Sequence, residues 1–407
     1  MAAMPLEGVR IADFTWVVAG PVATRILADH GAQVIKIERR IPGYFGPRKN
    51  GHQADLNRNK LSVAINMGDP RGVELARRIV RLSDIVTDNF SARVMRNWGM
   101  DYATLSALKP DIICMSMSGL GHTGPRSGYV SYGPTLQALT GFTRLMTDPD
   151  GRPAGYGYSY SDMAGGVSGA LAALAALWHR RRTGRGQFID LSQLEALTSV
   201  VGPGLLDIAV NGREQPEVDY RAQETPAAPH GVYRCMPRPE HDGRINDDRW
   251  IAIAVRTQAE WTRFVMAIGS PAWASDSRFA TLFLRMRNKE ALDDHVARWA
   301  AEQNSEAAME LLQRARVAAG IVANGADVCA RDPQLNFRQF WRPVPLPDGS
   351  VTHVTGIPFE LSSTPGSIRT NAPFVGENNE YVLGELLGIG AAERAALEAN
   401  QVVWAPD

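Results

Sequence analysis

One carboxylate, Asp162, opens a long run of small residues in the segment YSYSDMAGGVSGALAALAALWHRRRTGRGQ, which starts at Tyr158. An aspartate at such a place ordinarily caps a helix or sits in its first turn, where it meets unpaired amides and the positive end of the helix dipole. Two features add a chemical reading. Gly165, Gly166 and Gly169 fall in the first two turns of the run and cost helix propensity. Such a cost makes sense where a ligand or another backbone comes close. The preceding GYGYSYS is suited to lining a pocket. A helix cap and a nucleophile both remain open at this point. The far end of the run carries Arg180, Arg181 and Arg182 before Gly184. Cations in a last turn complement the dipole, and glycine is the usual stop, so this end reads as structural.

A second set of residues suits an anionic ligand. Glu38 and Arg39 end an apolar stretch that reads as a strand, and a guanidinium grips phosphate oxygens in pairs. The amides of Val17 to Gly20 lie between a strand and a helix N-terminus, a place that receives anionic groups. A nicotinamide dinucleotide site needs G-x-G-x-x-G there, and only Gly20 is present. SGLGHTGPRSGY, Ser118 to Tyr129, is a glycine-rich loop without the Walker lysine, so it is no P-loop. His122 in it has no neighbour in sequence to orient it and reads as a loop histidine without a role.

Several classes drop out on composition. Cys114, Cys235 and Cys329 are odd in number and far apart, and the eight histidines show no paired spacing, which argues against disulfides and metal. Lys plus Arg and Asp plus Glu both number 43, so nothing in the charge invites nucleic acid. The first residues lack the basic and apolar pattern of a secretion signal. The uncharged run Met163 to Trp178 spans 16 residues, short for a membrane, and reads as a buried core helix. A cytosolic protein without membrane partner is expected.

The elements that must position these residues follow a β-α-β rhythm. GVRIADF reads as a strand, GPVATRILADHG as a helix closed by Gly31, and AQVIKIE as the next strand. Asp69 caps a helix with Pro70 in its first position, running to about Leu82. DIVTDN and DIICMSMSG give two more strands, which argues for a parallel α/β sheet. From about Asn211 to Asp248, Pro, Gly and charges dominate, as in a linker. RWIAIAVR then reads as a strand, and 258–318 as amphipathic helices of a smaller domain. Short strands and a last helix at EYVLGELLG follow ARDPQLNFRQFW. The expected boundaries are 1–210, 211–330 and 331–407.

Taken in order, LEGVRIADFTWVVAGPVATRILADHGAQVIKIERR, NRNKLSVAINM, DIVTDNF, SGLGHTGP, SDMAGG, RRTGRGQFIDLSQLEA, ARDPQL and PFVGENNEYVLGELLG resemble the class III CoA-transferases of CaiB/BaiF type. The resemblance implies a Rossmann-like large domain built from both chain ends, a smaller α+β domain from the C-terminal half, and two chains interlocked like links, as a homodimer or with a paralogous subunit. It carries the catalytic aspartate to Asp162, since Gly166 and Thr183 hold the family's spacings. It implies coenzyme A thioesters as substrates and no permanently bound cofactor. It maps CoA contacts onto Val18, Ala19, Arg39, Ile65, Asn89, Phe90 and Ser91, and onto Arg96, Asn97 and Trp98. Asn97 stands where many relatives have arginine, and Gly68 where some have lysine. Arg96, Arg126 or Lys60 is then expected to take up part of the phosphate grip.

The same resemblance admits an isomerase, the α-methylacyl-CoA racemases, and a CoA-binding partner subunit that lacks chemistry. The racemase needs a second base, and Tyr129 stands in the place of its histidine. A neutral tyrosine is a poor base at neutral pH. The partner subunit is expected to lose the aspartate, which this chain keeps. CoA transfer is therefore the reading. SYGPTLQALTGFTRLM and GYGYSYSDMAGG look like members that act on aryl acids with succinyl-CoA as donor, such as the benzylsuccinate CoA-transferases. Trp16, Trp98 and the tyrosines from Tyr156 to Tyr160 are expected to wall an apolar acceptor pocket.

Overall fold

The computed structural model describes residues 4–40, 51–91, 93–144, 152–155, 157–212, 226–239, 245–346 and 349–406. The chain divides into two compact units, Met1–Pro216 with Gln334–Asp407, and Glu217–Pro333.

The first unit is built on six parallel strands: β1 (Arg10–Asp13), β2 (Gln33–Glu38), β3 (Lys60–Ala64), β4 (Ile85–Asp88), β5 (Ile113–Ser116) and β6 (Phe188–Asp190), ordered β3-β2-β1-β4-β5-β6. Strand order reverses between β1 and β4, and ligands of such sheets bind there, beyond the strands' carboxyl ends. Alternating side chains feed two cores. Ala12, Ile35, Val63 and Val86 face one side, with Leu75 and Ile79 of α3 (Pro70–Arg81) and the tail residues Val382, Leu383 and Val403. Ile11, Val34, Ile85 and Ile113 face the other, with α1 (Ala19–Asp29) and the long helix Tyr160–Thr183. The tail is stitched to β3, since Ala64 N–H donates to Asn379 Oδ1 at 2.9 Å and Ile65 bridges Val403.

Local signals explain several boundaries. Asp69 caps α3, accepting from Arg71 N–H, and Pro70 occupies its first turn. The Tyr160–Thr183 helix stops at Gly184, whose φ of +71° is left-handed. Arg180 in its last turn is tied to Asp84 (2.7 Å) and Asp111 (2.6 Å). The structural reading holds for Arg180.

That helix corrects the expectation of a buried one. It is longer than the run Met163–Trp178, and only its sheet side is covered. Val167, Leu171, Leu174 and Trp178 stand exposed at helical spacing on the other side. Among the described residues, no helix is long and apolar enough to cross a membrane.

The second unit has its own core. Strands Trp250–Ala254 and Ala318–Ile321 pair antiparallel, and His230–Arg234 pairs along the other edge of Trp250–Ala254. Trp261, Phe264, Leu292, Val296 and Leu312 from its helices pack onto them. His230–Arg234 falls in the stretch read as linker, so part of that stretch is sheet. Its residues 213–225 and 240–244 lie outside the described residues. EYVLGELLG is helical over Glu380–Leu386, and a further helix, Ala391–Ala399, follows it.

Candidate active site

The turn joining β1 to α1 runs Phe14-Thr15-Trp16-Val17-Val18, and little of it is regular structure. Side chains hold it instead. Asp13, fully buried, accepts from Thr15 N–H (2.9 Å) and from the hydroxyls of Thr15 (2.5 Å) and Thr24 (2.7 Å). Lys36 donates to the Thr15 carbonyl. Lys60 reaches Asp13 (3.4 Å), the Pro21 carbonyl (3.2 Å) and Asn57 (3.3 Å). Burial pushes the Lys60 ammonium down to about 7, against the pull of Asp13. Burial also works against the Asp13 carboxylate, but Lys60, Lys36 and the two hydroxyls outweigh it and hold its pKa below the usual range. Lys60 is thus a structural cation. It is closed off from any phosphate, which corrects that expectation.

Val17, at φ +61°, is a β-branched residue in the left-handed region, an outlier that must be enforced by its surroundings. Among the described residues the amides of Val17 and Val18 donate to no protein group. The next amide, Ala19 N–H, favours the charged form of the Asp162 carboxylate.

Asp162 lies in the first turn of the Tyr160–Thr183 helix. Burial raises its pKa, opposed by hydrogen bonds from the Ser159 hydroxyl and Ala19 N–H. The segment that brings it here is pinned: Tyr160 N–H donates to Gln137 Oε1 (2.7 Å), and the Ser161 hydroxyl to the Gly133 carbonyl (3.2 Å). A Cβ on Gly133 would stand 1.5 Å from Ser159 Oγ and 2.8 Å from Asp162 Oδ2. Gly133 therefore leaves the carboxylate its space.

The glycines behind Asp162 serve a different purpose. A Cβ on Gly166 would meet Val22 Cβ at 2.6 Å and the Ala19 carbonyl at 2.9 Å, one on Gly165 would meet Gln193 Cγ at 2.9 Å, and one on Gly169 the Met117 methyl at 2.8 Å. They let α1 and its neighbours approach closely. Protein, rather than ligand, occupies that space.

The remaining expected residues fall into three groups. Arg39 follows β2, Arg96 precedes Trp98, and Arg126 lies in the loop after β5. All three are exposed, and among the described residues none of their side chains has a hydrogen-bond or ion-pair partner. Asn97 and Ser91 are exposed as well. Ile65 has its side chain fully buried in the core and its N–H bound to the Glu38 carbonyl (3.0 Å), so no side-chain atom is open to a ligand. Phe90 and Trp98 are half-buried against the same core. Their rings meet edge to face at 5.6 Å, Phe14 lies 6.2 Å from Trp98, and Trp16 lies 6.3 Å from Phe90. Trp98 therefore packs with part of its ring against the core. Asn89 spends its side-chain amide on Trp16, accepting from its N–H (2.9 Å) and donating to its carbonyl (2.8 Å).

Tyr158 and Tyr160 are half-exposed beside Asp162, and Tyr156 lies outside the described residues. Tyr160 stacks on Phe142 at 5.3 Å, and Tyr158 meets His52 edge-on at 6.4 Å. Burial raises the Tyr158 pKa, as do the charges of Asp55 and Asp162. Tyr129 is exposed. The loop that carries His122 is tied down by its backbone N–H, which donates to both oxygens of Asp190 (2.9 and 3.1 Å), and the imidazole ring lies 5.6 Å from Phe188. Among the described residues, no cluster of His, Cys, Asp or Glu is arranged to hold a metal.

The site is thus a half-buried carboxylate in the first turn of a helix, packed against the start of α1 at the reversal point of a doubly wound sheet. The sequence model of CoA-transferase family III matches residues 6–379. The chain belongs to this family. The transferase is 30% identical over 409 residues to succinyl-CoA–D-citramalate CoA-transferase of Chloroflexus aurantiacus, covering 98% of each chain. It is 30% identical over 396 residues to succinate–glutarate CoA-transferase of Agrobacterium fabrum, covering 94% of this chain and 96% of that one. A CaiB/BaiF family protein from Brucella suis superposes on the transferase with a TM-score of 0.82 and 27% identity, over 94% of this chain and 100% of its own. The transferase is accordingly an enzyme that moves CoA between acids, with CoA thioesters as substrates.

Proposed function

We propose that the enzyme transfers CoA from succinyl-CoA to a second dicarboxylic acid through covalent intermediates on Asp162. The observation that carries this reading is the Asp162 carboxylate, drawn out of water yet fed by the Ala19 amide at a helix N-terminus. An Asp162 oxygen attacks the thioester carbonyl of the donor, the C–S bond breaks, and a mixed anhydride and CoA thiolate result. The thiolate attacks the aspartyl carbon, the donor acid leaves, and Asp162 holds CoA as a thioester. The acceptor carboxylate then attacks that aspartyl carbon and releases the thiolate. Thiolate attack on the acceptor acyl carbon completes the transfer and returns Asp162. Partial burial of Asp162 limits water, which would hydrolyse both anhydrides.

The dicarboxylate replaces the aryl acid expected from the sequence. Both named relatives act, by name, on four- or five-carbon diacids. Arg39, Arg96 and Arg126, unpaired and exposed, are assigned to the CoA phosphates. A second subunit is assigned to the exposed face of Val167, Leu171, Leu174 and Trp178, an apolar stripe that a soluble chain covers.

The test is incubation with succinyl-CoA followed by hydroxylamine, read by intact mass and peptide mapping. Modification at Asp162, absent from Asp162→Ala, is expected. A folded protein that turns over without such modification overturns the covalent route. Exchange of an α-proton without any acceptor acid would favour the isomerase.

A further inference from the structure

We infer that His52 is a specificity-determining residue: its imidazole holds the free carboxylate of a diacid chain whose other end is at Asp162. The inference rests on the proposed reading of Asp162 and of diacid substrates, and adds the group that tells a diacid from a monoacid.

The placement of His52 carries it. His52 lies in the first turn of α2 (Gly51–Asn57), and the residues that follow it fix that helix. Ala54 packs with Val344 and Val354 of the tail. Asp55 accepts from Arg25 and Arg58, both at 2.7 Å, and from the Thr355 N–H and hydroxyl at 2.9 and 2.7 Å. Asn57 accepts from Lys60 at 3.3 Å. His52 itself stands exposed, and among the described residues its imidazole has no hydrogen-bond or ion-pair partner. Its ring meets that of Tyr158 edge-on at 6.4 Å. The Tyr158 hydroxyl reaches Met163 Sδ at 3.5 Å, so the tyrosine folds back onto the turn that bears Asp162. The imidazole is one aromatic ring away from that turn.

A four- or five-carbon chain with its thioester carbon at the Asp162 carboxylate carries its free carboxylate about one ring's width further. On the proposed route donor and acceptor acids enter and leave at the same aspartyl group, so one side chain serves both. Either ring nitrogen of a histidine can carry a hydrogen, and a carboxylate oxygen accepts it. Asp55, one turn further along α2, does not compete for the imidazole, because both its oxygens already accept from arginine. A chain that ends in a methyl group gains nothing from such a donor.

The test measures exchange of labelled succinate into succinyl-CoA and of labelled butyrate into butyryl-CoA, which needs no other acid. The two chains differ in a terminal carboxylate against a methyl group. The full chain is compared with His52→Phe, whose ring keeps the contact with Tyr158 and lacks both nitrogens. A fall in kcat/KM of about 10- to 100-fold for succinyl-CoA is expected, the range for a hydrogen bond to a charged group, with butyryl-CoA changed by less than about threefold. If butyryl-CoA does not exchange, its inhibition constant against succinyl-CoA is read instead and is expected to stay unchanged. His52→Gln keeps an N–H at similar reach and is expected to recover part of the loss. An equal fall for both thioesters, or none for succinyl-CoA, overturns the inference. Should His52→Phe not fold by circular dichroism, His52→Ala is read the same way. A wild type that exchanges both acids equally well overturns the diacid reading and the inference with it. Turnover by Asp162→Asn, assayed alongside, would instead overturn the nucleophile reading, whatever the two thioesters show.

Discussion

The Ala19 backbone amide, at the start of one helix, favours the charged form of the Asp162 carboxylate in the first turn of another. The carboxylate is thereby kept usable in a site that otherwise disfavours its charge. Burial alone would leave it protonated over a wider pH range and useless as a nucleophile.

The pH dependence follows from this balance. On the proposed route the charged form attacks, and burial raises the pKa from its ordinary value. Activity is present above that raised pKa and is lost as pH falls through it. The acid limb of kcat/KM should lie above the usual value of about 4 and vanish with Asp162→Asn, whose kcat should fall by more than about 10^3-fold.

Gly133→Ala tests the space around the carboxylate. The added methyl would overlap Ser159 Oγ and press on Asp162 Oδ2. Circular dichroism should show a folded protein, while kcat falls about 10²-fold. Gly166→Ala should act differently, forcing α1 from its partner helix and lowering stability by about 1–3 kcal/mol in denaturant titration.

Asp88 gives a stability prediction. It is buried at the end of β4, accepts from Ser116 Oγ (2.6 Å) and Phe90 N–H (3.1 Å), and burial raises its pKa to about 6. An acid with a raised folded pKa costs stability above that pKa, and the cost is relieved as pH falls from about 6 towards 4. At neutral pH the shift corresponds to about 3 kcal/mol. Asp88→Asn should therefore raise the melting temperature at pH 7.5, with the gain shrinking at pH 5.

Arg39→Ala, Arg96→Ala and Arg126→Ala bear on the phosphate assignment. Each that holds a phosphate should raise KM for succinyl-CoA with kcat near wild type, and the effect should weaken at high salt. An unchanged KM removes that arginine from the site.

Much of the frame was legible because it is locally encoded. The Asp69–Pro70 start of α3 and the strands around it rest on neighbours in sequence. So did the glycine stop after Thr183. The site was legible only to the depth of single residues. Asp162 could be picked out, but not Gly133, 29 positions earlier, whose missing side chain makes room for it. Asn89 was expected at the ligand, yet its partner Trp16 lies on the preceding turn, and a side chain's partner is not written in periodicity. The glycines behind Asp162 announced a close approach without saying what approaches. The Met163–Trp178 run was apolar all round, and such a run cannot say which of its faces water reaches.

The helix that bears Asp162 is also a lever. Asp162 sits near one end, and Arg180, about 27 Å away at 1.5 Å per residue, is fastened to Asp84 and Asp111 before the amino ends of β4 and β5. A stiff rod held at its far end transmits tilt to its tip. Loosening the fastening with Arg180→Ala would swing the nucleophile relative to the Ala19 amide without altering anything near the chemistry. On the proposed route, an ion-pair clasp at the far end of the helix takes part in setting reactivity.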